Sequence, residues 1–190
     1  MKNVLYAFIV LLVFALPAFG QENLEFYGGY QHASGDQGLD GFNVGLGWNP
    51  TEQFQLFLNY DGLYDHSTLG SFALTGVGST FVNSHMVGVL TGPRYFLHSA
   101  RIKGHRIVPF VEAGFGEYRL RTELRSDITG EVASADTAFA WALGGGVDYK
   151  IYSHWSVRGD LGLLRTHIAN SGQSRVRLGL NVVYSFRGAR

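Results

Sequence analysis

Apolar and polar residues alternate along most of the chain, and this alternation predicts β-strands. In the segment GFNVGLGWN, every second residue from Phe42 to Trp48 is apolar, and the residues between them are Asn or Gly. The next segment, QFQLFLNYD, repeats the pattern from Phe54 to Tyr60, after a short connection at residues 50–52. These two segments therefore predict a β-hairpin with a tight turn.

The same alternation predicts eight strands in all, although it leaves the register of the fourth one open. Their segments are LEFYGGYQ, GFNVGLGWN, QFQLFLNYD, HMVGVLTGPRYF, VPFVEAGFGEY, FAWALGGGVDY, HWSVRGDLGLL and VRLGLNVVYSF. The connections alternate in length: those near 50–52 and 150–153 are short and the one near 97–106 is moderate. Those near 64–80 and 120–136 are longer, with smaller companions on the same side near 33–40 and 167–174. Short turns at one end and longer loops at the other are typical of a transmembrane barrel.

The apolar face of the predicted strands is too bulky to lie inside an eight-stranded barrel. The interior of such a barrel is only wide enough for side chains to fill, and this face carries many Trp, Phe, Tyr and Leu residues. The opposite face carries Gly, Ala, Ser and Asn with a few charges, which fit. An Arg that faced mid-bilayer lipid would also cost about 2–4 kcal/mol. We therefore predict an all-β fold, an eight-stranded antiparallel transmembrane up-and-down β-barrel with its apolar face outward.

The first residues of the chain have the features of an export signal. Lys2 precedes an apolar run from Val4 to Ala15, and Ala-Phe-Gly at 18–20 matches the small-x-small pattern that signal peptidase reads. The run is shorter than the roughly 20 residues that a membrane-spanning helix needs. We expect residues 1–20 to be a cleaved signal peptide and residues 21–190 to form one exported barrel domain.

Composition narrows the function classes. The formal net charge is +0, so nothing favours nucleic acid as a partner, and the absence of Cys excludes disulfides and thiol catalysis. The triple glycine at 144–146 invites comparison with a phosphate-binding loop, but no helical pattern and no Lys-Ser/Thr pair follow it. We expect a monomer without a cofactor, in which these glycines relieve crowding in a strand.

The chain resembles the OmpA-like transmembrane barrels of Gram-negative bacteria, a family of small outer-membrane β-barrels. The resemblance rests on TGPRYF at 91–96, PFVEAGFG at 109–116, FAWALGGGVDY at 139–149 and the last strand, RLGLNVVYSF. That strand is similar to the family's assembly signal in Gly179, Val182, Tyr184 and Phe186. The resemblance implies location in the outer membrane, insertion by the barrel assembly machinery, and outer-membrane lipid and lipopolysaccharide as partners.

Charged residues on the inward face are the first candidates for a functional site. The predicted polar network of the lumen consists of Arg94, Glu112, Asp148, Arg158, Asp160 and Arg177. Two interpretations stay open: a plug of paired charges that closes or gates the lumen, or polar side chains that simply fill it and pair because buried charges require partners.

Two further sets of residues lie towards the predicted strand ends. Aromatic residues predict a girdle at the membrane interfaces, formed by Trp48, Tyr60, Tyr149, Trp155 and Tyr184. Near the predicted outer rim, four arginines are candidate contacts for lipopolysaccharide phosphates, which Arg binds through paired hydrogen bonds: Arg119, Arg121, Arg125 and Arg165. Ordinary solvated loop charge is the alternative for these arginines.

The histidines give little support to catalysis or metal binding. His98 and His105 have cationic neighbours, which disfavour a metal dication. Lipid hydrolysis by His154 with Ser156, or by His167 with Ser171, is a weak alternative, because His154 lies at a short turn on the predicted periplasmic side. We predict a non-enzymatic role in envelope integrity, adhesion or surface interaction, with both termini in the periplasm. A narrow pore for ions or very small solutes is the main alternative, and a lipid-active enzyme is the next.

Overall fold

The computed structural model describes residues 23–35, 38–65, 80–97, 107–126, 130–168 and 171–186, with the backbone alone described at 80–83, 122–126, 130–134, 168 and 171. The strands are β1 (Leu24–Ser34), β2 (Leu39–Trp48), β3 (Phe54–Asp65), β4 (Thr80–Phe96), β5 (Ile107–Ser126), β6 (Gly130–Lys150), β7 (Trp155–Ile168) and β8 (Ser171–Ser185). Each strand pairs antiparallel with the next, and β1 pairs with β8 to close the barrel. The predicted eight-stranded fold is confirmed. In the described residues, no helix is long and apolar enough to span a bilayer.

Side chains alternate between the interior and the outer surface along every strand. In β3, Gln55, Phe57, Asn59 and Asp61 are buried, whereas Tyr60 between them is exposed on the outside. The outer surface carries the large apolar side chains, and the interior carries the smaller and polar ones, as the volume argument predicts. The register of β4, which the sequence left open, turns Met86, Leu90 and Arg94 inward.

The two ends of the barrel differ in their connections. At one end, which we call the turn end, the chain turns at residues 49–53 and 151–154 and between β4 and β5. At the opposite end, the loop end, β1–β2, β3–β4, β5–β6 and β7–β8 connect. Residues 66–79, which contain most of the predicted connection at 64–80, lie outside the described residues.

One predicted connection, at 120–136, is wrong. Strands β5 and β6 continue through most of this segment and remain in register to the pair Ser126 and Gly130. The segment is polar, which favoured a loop, but a polar hairpin satisfies its backbone hydrogen bonds by pairing with itself. The same reason makes half of 33–40 and most of 167–174 strand rather than loop.

Glycines occupy inward positions where neighbouring strands come unusually close. A Cβ built on Gly146 collides with the carbonyl oxygen of Gly159 on β7 and lies 2.7 Å from the ring of Phe110. A side chain there would therefore push β6 and β7 apart. By contrast, a Cβ on the outward Gly159 meets nothing within 4 Å.

We expect Gly146→Ala to destabilise the barrel and Gly159→Ala to be tolerated. The first substitution must displace backbone, as overpacked residues do, at a cost of about 1–3 kcal/mol. The second adds a methyl group to open space and should change the free energy of unfolding by less than about 0.5 kcal/mol. Urea unfolding of both refolded variants measures the difference, and equal stability of the two would contradict this account of the triple glycine.

Candidate functional site in the charged interior

The interior contains two apolar clusters and a set of charged side chains. A small cluster of Phe96, Val108 and Phe110 lies at the turn end. A larger one fills the interior towards the loop end and comprises Ala33, Leu39, Phe57, Leu63, Met86, Leu90, Tyr118, Ala140, Ala142 and Leu164. The charged residues of the network described below lie in the turn-end half and the middle of the barrel, whereas the buried Asp65 lies farther out, at the loop end of β3.

Arg158 is the most deeply buried of the charged residues, with 0% of its surface exposed. Its Nε and Nη2 atoms donate to the two carboxylate oxygens of Asp148 at 2.6 and 2.7 Å, and Nη2 also donates to Glu25 at 3.3 Å. The guanidinium lies 5.2 Å from the ring centroid of Tyr27 and 5.3 Å from that of Phe110. A paired carboxylate and two flanking rings therefore fix its position.

Arg94 forms a second centre beside the first. Its Nε and Nη2 atoms donate to Oε2 of Glu112 at 2.8 and 2.6 Å, and Nη1 donates to Oε1 of Gln55 at 2.6 Å. The amide nitrogen of Gln55 in turn donates to Glu25 at 2.7 Å. Because Glu25 also accepts from Arg158, the two arginine centres belong to one hydrogen-bonded network.

Arg177 extends the network towards the loop end. Its Nη1 atom donates to Asp61 at 3.2 Å, and its Nη2 atom lies 3.7 Å from Oε1 of Glu112. The hydroxyl of Tyr118 also donates to Asp61. The charged network thus reaches the larger apolar cluster, of which Tyr118 is a member.

Asp160 differs from the other five predicted interior residues in how it is held. In the described part of the chain it accepts a hydrogen bond from Nδ2 of Asn181 at 2.9 Å, while the other five make ion pairs. A Cβ on the facing Gly179 would contact its carboxylate oxygens. Gly179, assigned to the assembly signal by resemblance, therefore also makes room for Asp160.

Two acidic members of the network, Glu25 and Asp61, were missing from the predicted set. Both lie at inward positions next to outward aromatic residues, Phe26 and Tyr60. Both also lie within the predicted segments LEFYGGYQ and QFQLFLNYD, so the alternation of these two strands would have identified them. Gln55, which joins the arginine centres, carries no charge and gave no such signal.

The predicted aromatic girdle is divided between two positions. Trp48, Tyr149, Trp155 and Tyr184 lie at the turn end of their strands, and the rings of Trp155 and Tyr184 are 4.9 Å apart. Tyr60 lies instead in the middle of β3, in register with Val44 and Val89. The outward residues Val182, Tyr184 and Phe186 continue the turn-end aromatic surface, with Tyr184 and Phe186 at 5.2 Å.

The predicted rim arginines lie towards the loop end. Arg119, Arg121 and Arg165 are exposed on the outer surface, and Arg165 is in register with Trp141. The backbone of Arg125 lies in the same part of β5, and its side chain is outside the description.

The histidine candidates for lipid hydrolysis lie at opposite ends of the barrel, His154 at the turn end and His167 at the loop end. Nδ1 of His154 lies 2.8 Å from the carbonyl oxygen of Ser185, and His167 is exposed at the loop end. His98, His105 and the side chain of Ser171 lie outside the described residues. Within the part of the chain that is described, no three His, Cys, Asp or Glu residues are arranged to hold a metal ion.

We expect Arg158→Met to destabilise the barrel by about 3–5 kcal/mol, because it leaves Asp148 and Glu25 buried without their cation. The matched control is Arg165→Met, which removes an exposed Arg and should change the free energy of unfolding by less than about 0.5 kcal/mol. Urea unfolding in lipid vesicles measures both values. A small effect of Arg158→Met would show that the network contributes little to stability.

Comparison with known proteins agrees with this architecture. The Ail attachment invasion locus protein of Yersinia pestis shares 12% identity with the chain at a TM-score of 0.57, covering 86% of this chain and 99% of that one. Neisserial surface protein A shares 12% identity with the chain at a TM-score of 0.58, and the match covers 85% of this chain and 95% of that one. The N-terminal β-barrel domain of Pseudomonas aeruginosa OprF shares 15% identity with the chain at a TM-score of 0.50, and the match covers 86% of this chain and 98% of that one.

At these identities the structural matches show the fold alone, and no curated protein sequence matches the chain. A family model carries the assignment further: the model described as "Outer membrane protein beta-barrel domain" matches residues 6–186, which is nearly the whole chain. The chain therefore belongs to the outer membrane protein β-barrel domain family and is a protein of the outer membrane.

Proposed function

We propose that the protein is a closed barrel that does not conduct and that serves the outer membrane as a structural and surface-interaction element. The observation that carries the proposal is the filled interior. Three arginines and five carboxylates pack together in the turn-end half and the middle of the barrel. The cavity beside them has a volume of about 10 Å³, which is far too small for a pore.

The apolar cluster towards the loop end supplies a second barrier. Leu63, Met86 and Leu164 are each at most 1% exposed. An ion that passed the charged network would still have to cross this apolar layer, and apolar constrictions exclude ions by dewetting. Two barriers in series support a closed barrel over the narrow-pore alternative. For lipid hydrolysis, the contact of His154 with a backbone carbonyl at the turn end offers no support.

The surface role rests on strands that are longer than a membrane requires. β5 has 20 residues and β6 has 21, whereas about 9–11 residues cross a bilayer. On β5 the outward apolar residues end at Phe115, and Glu117, Arg119 and Arg121 follow on the same face. The remainder of β5 and its partner segment of β6 therefore extend beyond the apolar band as a projecting sheet.

The projecting sheet has an open edge on β6. Among the described residues, β6 pairs with β7 from Ala140 onward, while residues 130–139 pair on the β5 side alone. Open strand edges are templates for an added strand. We infer that this edge and the neighbouring loops form the contact surface for extracellular partners.

The outward arginines support an anchoring role at the outer leaflet. Arg165 beside Trp141, together with Arg119 and Arg121, lies where the apolar band ends. Guanidinium groups at this level match the phosphates of lipopolysaccharide. In this arrangement the loop end faces the cell exterior, the protein is a monomer, and the last strand directs insertion by the barrel assembly machinery.

Planar-bilayer recording tests the closed barrel. We expect no steady conductance from the wild type, from Arg158→Met, or from the pair Leu63→Ala and Met86→Ala, because each variant weakens one barrier and keeps the other. The triple variant should conduct. The matched control truncates two outward residues, Leu143→Ala and Leu161→Ala, and should remain closed. Steady conductance of the wild type would overturn the proposal and support the narrow pore.

Cysteine labelling of intact cells tests the orientation. A single cysteine placed within 68–76 should react with a membrane-impermeant maleimide, because the loop end faces outward. A cysteine at Thr51, in a turn-end connection, should react only after the cells are broken. The reverse pattern would contradict both the orientation and the surface role.

A further inference from the structure

The charged interior contains a small cavity lined mainly by polar residues. It measures about 10 Å³, which is room for about one water molecule. Its wall is formed by Tyr27, Asn43, Phe57, Asn59, Arg94, Glu112, Asp160, Arg177 and Asn181. Three of these nine residues are asparagines, and they come from three different strands.

The asparagines leave three carbonyl oxygens without a partner. In the described part of the chain, Oδ1 of Asn43, Asn59 and Asn181 is buried and accepts no hydrogen bond, and each residue is at most 5% exposed. For two of them the amide nitrogen has a carboxyl partner. Nδ2 of Asn59 donates to Asp61, and Nδ2 of Asn181 donates to Asp160. A carboxylate that pairs with an Arg, as Asp61 does with Arg177, only accepts, so the amide oxygen of Asn59 must be the unpartnered end.

Gly29 leaves room beside the oxygen of Asn181. It is in register with Asn43 on one side and with Asn181 on the other. A Cβ on Gly29 would lie 2.9 Å from Oδ1 of Asn181 and would collide with the carbonyl oxygen of Leu180. A side chain at this position would push β1 and β8 apart and press on the amide of Asn181.

A donor accompanies these acceptors. Arg177 also forms part of the wall, and its Nε atom is buried without a hydrogen-bond partner. A cation would complement the three oxygens but not an N–H donor. The wall contains the guanidinium groups of Arg94 and Arg177 beside the carboxylates of Glu112 and Asp160, so it offers a cation no excess of negative charge. A water molecule complements both, since it donates two hydrogen bonds and accepts others.

We propose that this cavity binds one water molecule, which donates to two of the three asparagine oxygens and accepts from Arg177. The water joins the Asp61–Asn59 pair to the Asp160–Asn181 pair. Through this water, Asp160, which makes no ion pair with the described residues, is connected to the charged network. The inference concerns the interior alone and goes beyond the proposed surface role.

A crystal structure of the refolded wild-type barrel, from crystals soaked in a thallium(I) salt, tests the proposal. We expect one density peak within about 2.7–3.2 Å of at least two of the asparagine oxygens, without anomalous signal from thallium. An empty cavity would overturn the proposal. An anomalous peak would overturn it too, because it would assign the site to a monovalent cation.

A pair of variants provides a second test by the same measurement. Asn43→Leu removes one acceptor and fills the cavity with apolar atoms, so the peak should disappear. Gln31→Leu removes another buried amide, at a position outside the cavity wall, and should leave the peak in place. Retention of the peak in the folded Asn43→Leu barrel would contradict the proposal.

Discussion

The pairing of buried guanidinium and carboxylate groups is the interaction on which the rest of this barrel depends. Eight strands enclose a space that side chains alone can fill, and small or polar side chains must do so if the bulky apolar ones face lipid. Charges in that space are costly unless they are paired and hydrogen-bonded. Arg158 with Asp148, and Arg94 with Glu112, meet this requirement through several hydrogen bonds each. Glycines such as Gly146 and Gly179 follow from the same constraint, because they leave room for strands and carboxylates.

The interior combines an ionic network with an apolar cluster, and the proposed function depends on both. An ionic network alone could rearrange and admit water, and an apolar cluster alone would leave no specific contacts to set the position of each strand. The proposed closed barrel rests on the two together, and a closed barrel leaves the outside of the protein as the surface available for contacts. There the apolar band ends in arginines, and β5 and β6 continue beyond it. The proposed surface role rests on this projecting part of β5 and β6.

The sequence predicted the strands of the barrel better than it predicted the contacts between the charged side chains inside it. A period of two residues is strong over every strand, so the barrel and the inward positions of Arg94, Glu112 and Arg158 could be derived from it. The polarity of residues 120–136 led to the wrong prediction of a loop, because a polar hairpin and a polar loop have the same composition. The contact partners of the inward side chains were harder to predict than the strands. That Asp160 meets Asn181 rather than an Arg depends on the register of β7 and β8 and on side-chain reach, which no local pattern contains.

A double-mutant cycle on Arg94 and Glu112 tests the central claim most directly. Arg94→Met, Glu112→Gln and the double variant are unfolded in urea in lipid vesicles, and their free energies of unfolding are compared with that of the wild type. The account predicts that the double variant loses less stability than the sum of the single losses, by about 1–3 kcal/mol. Additivity within about 0.5 kcal/mol would contradict it, because the two side chains would then act independently.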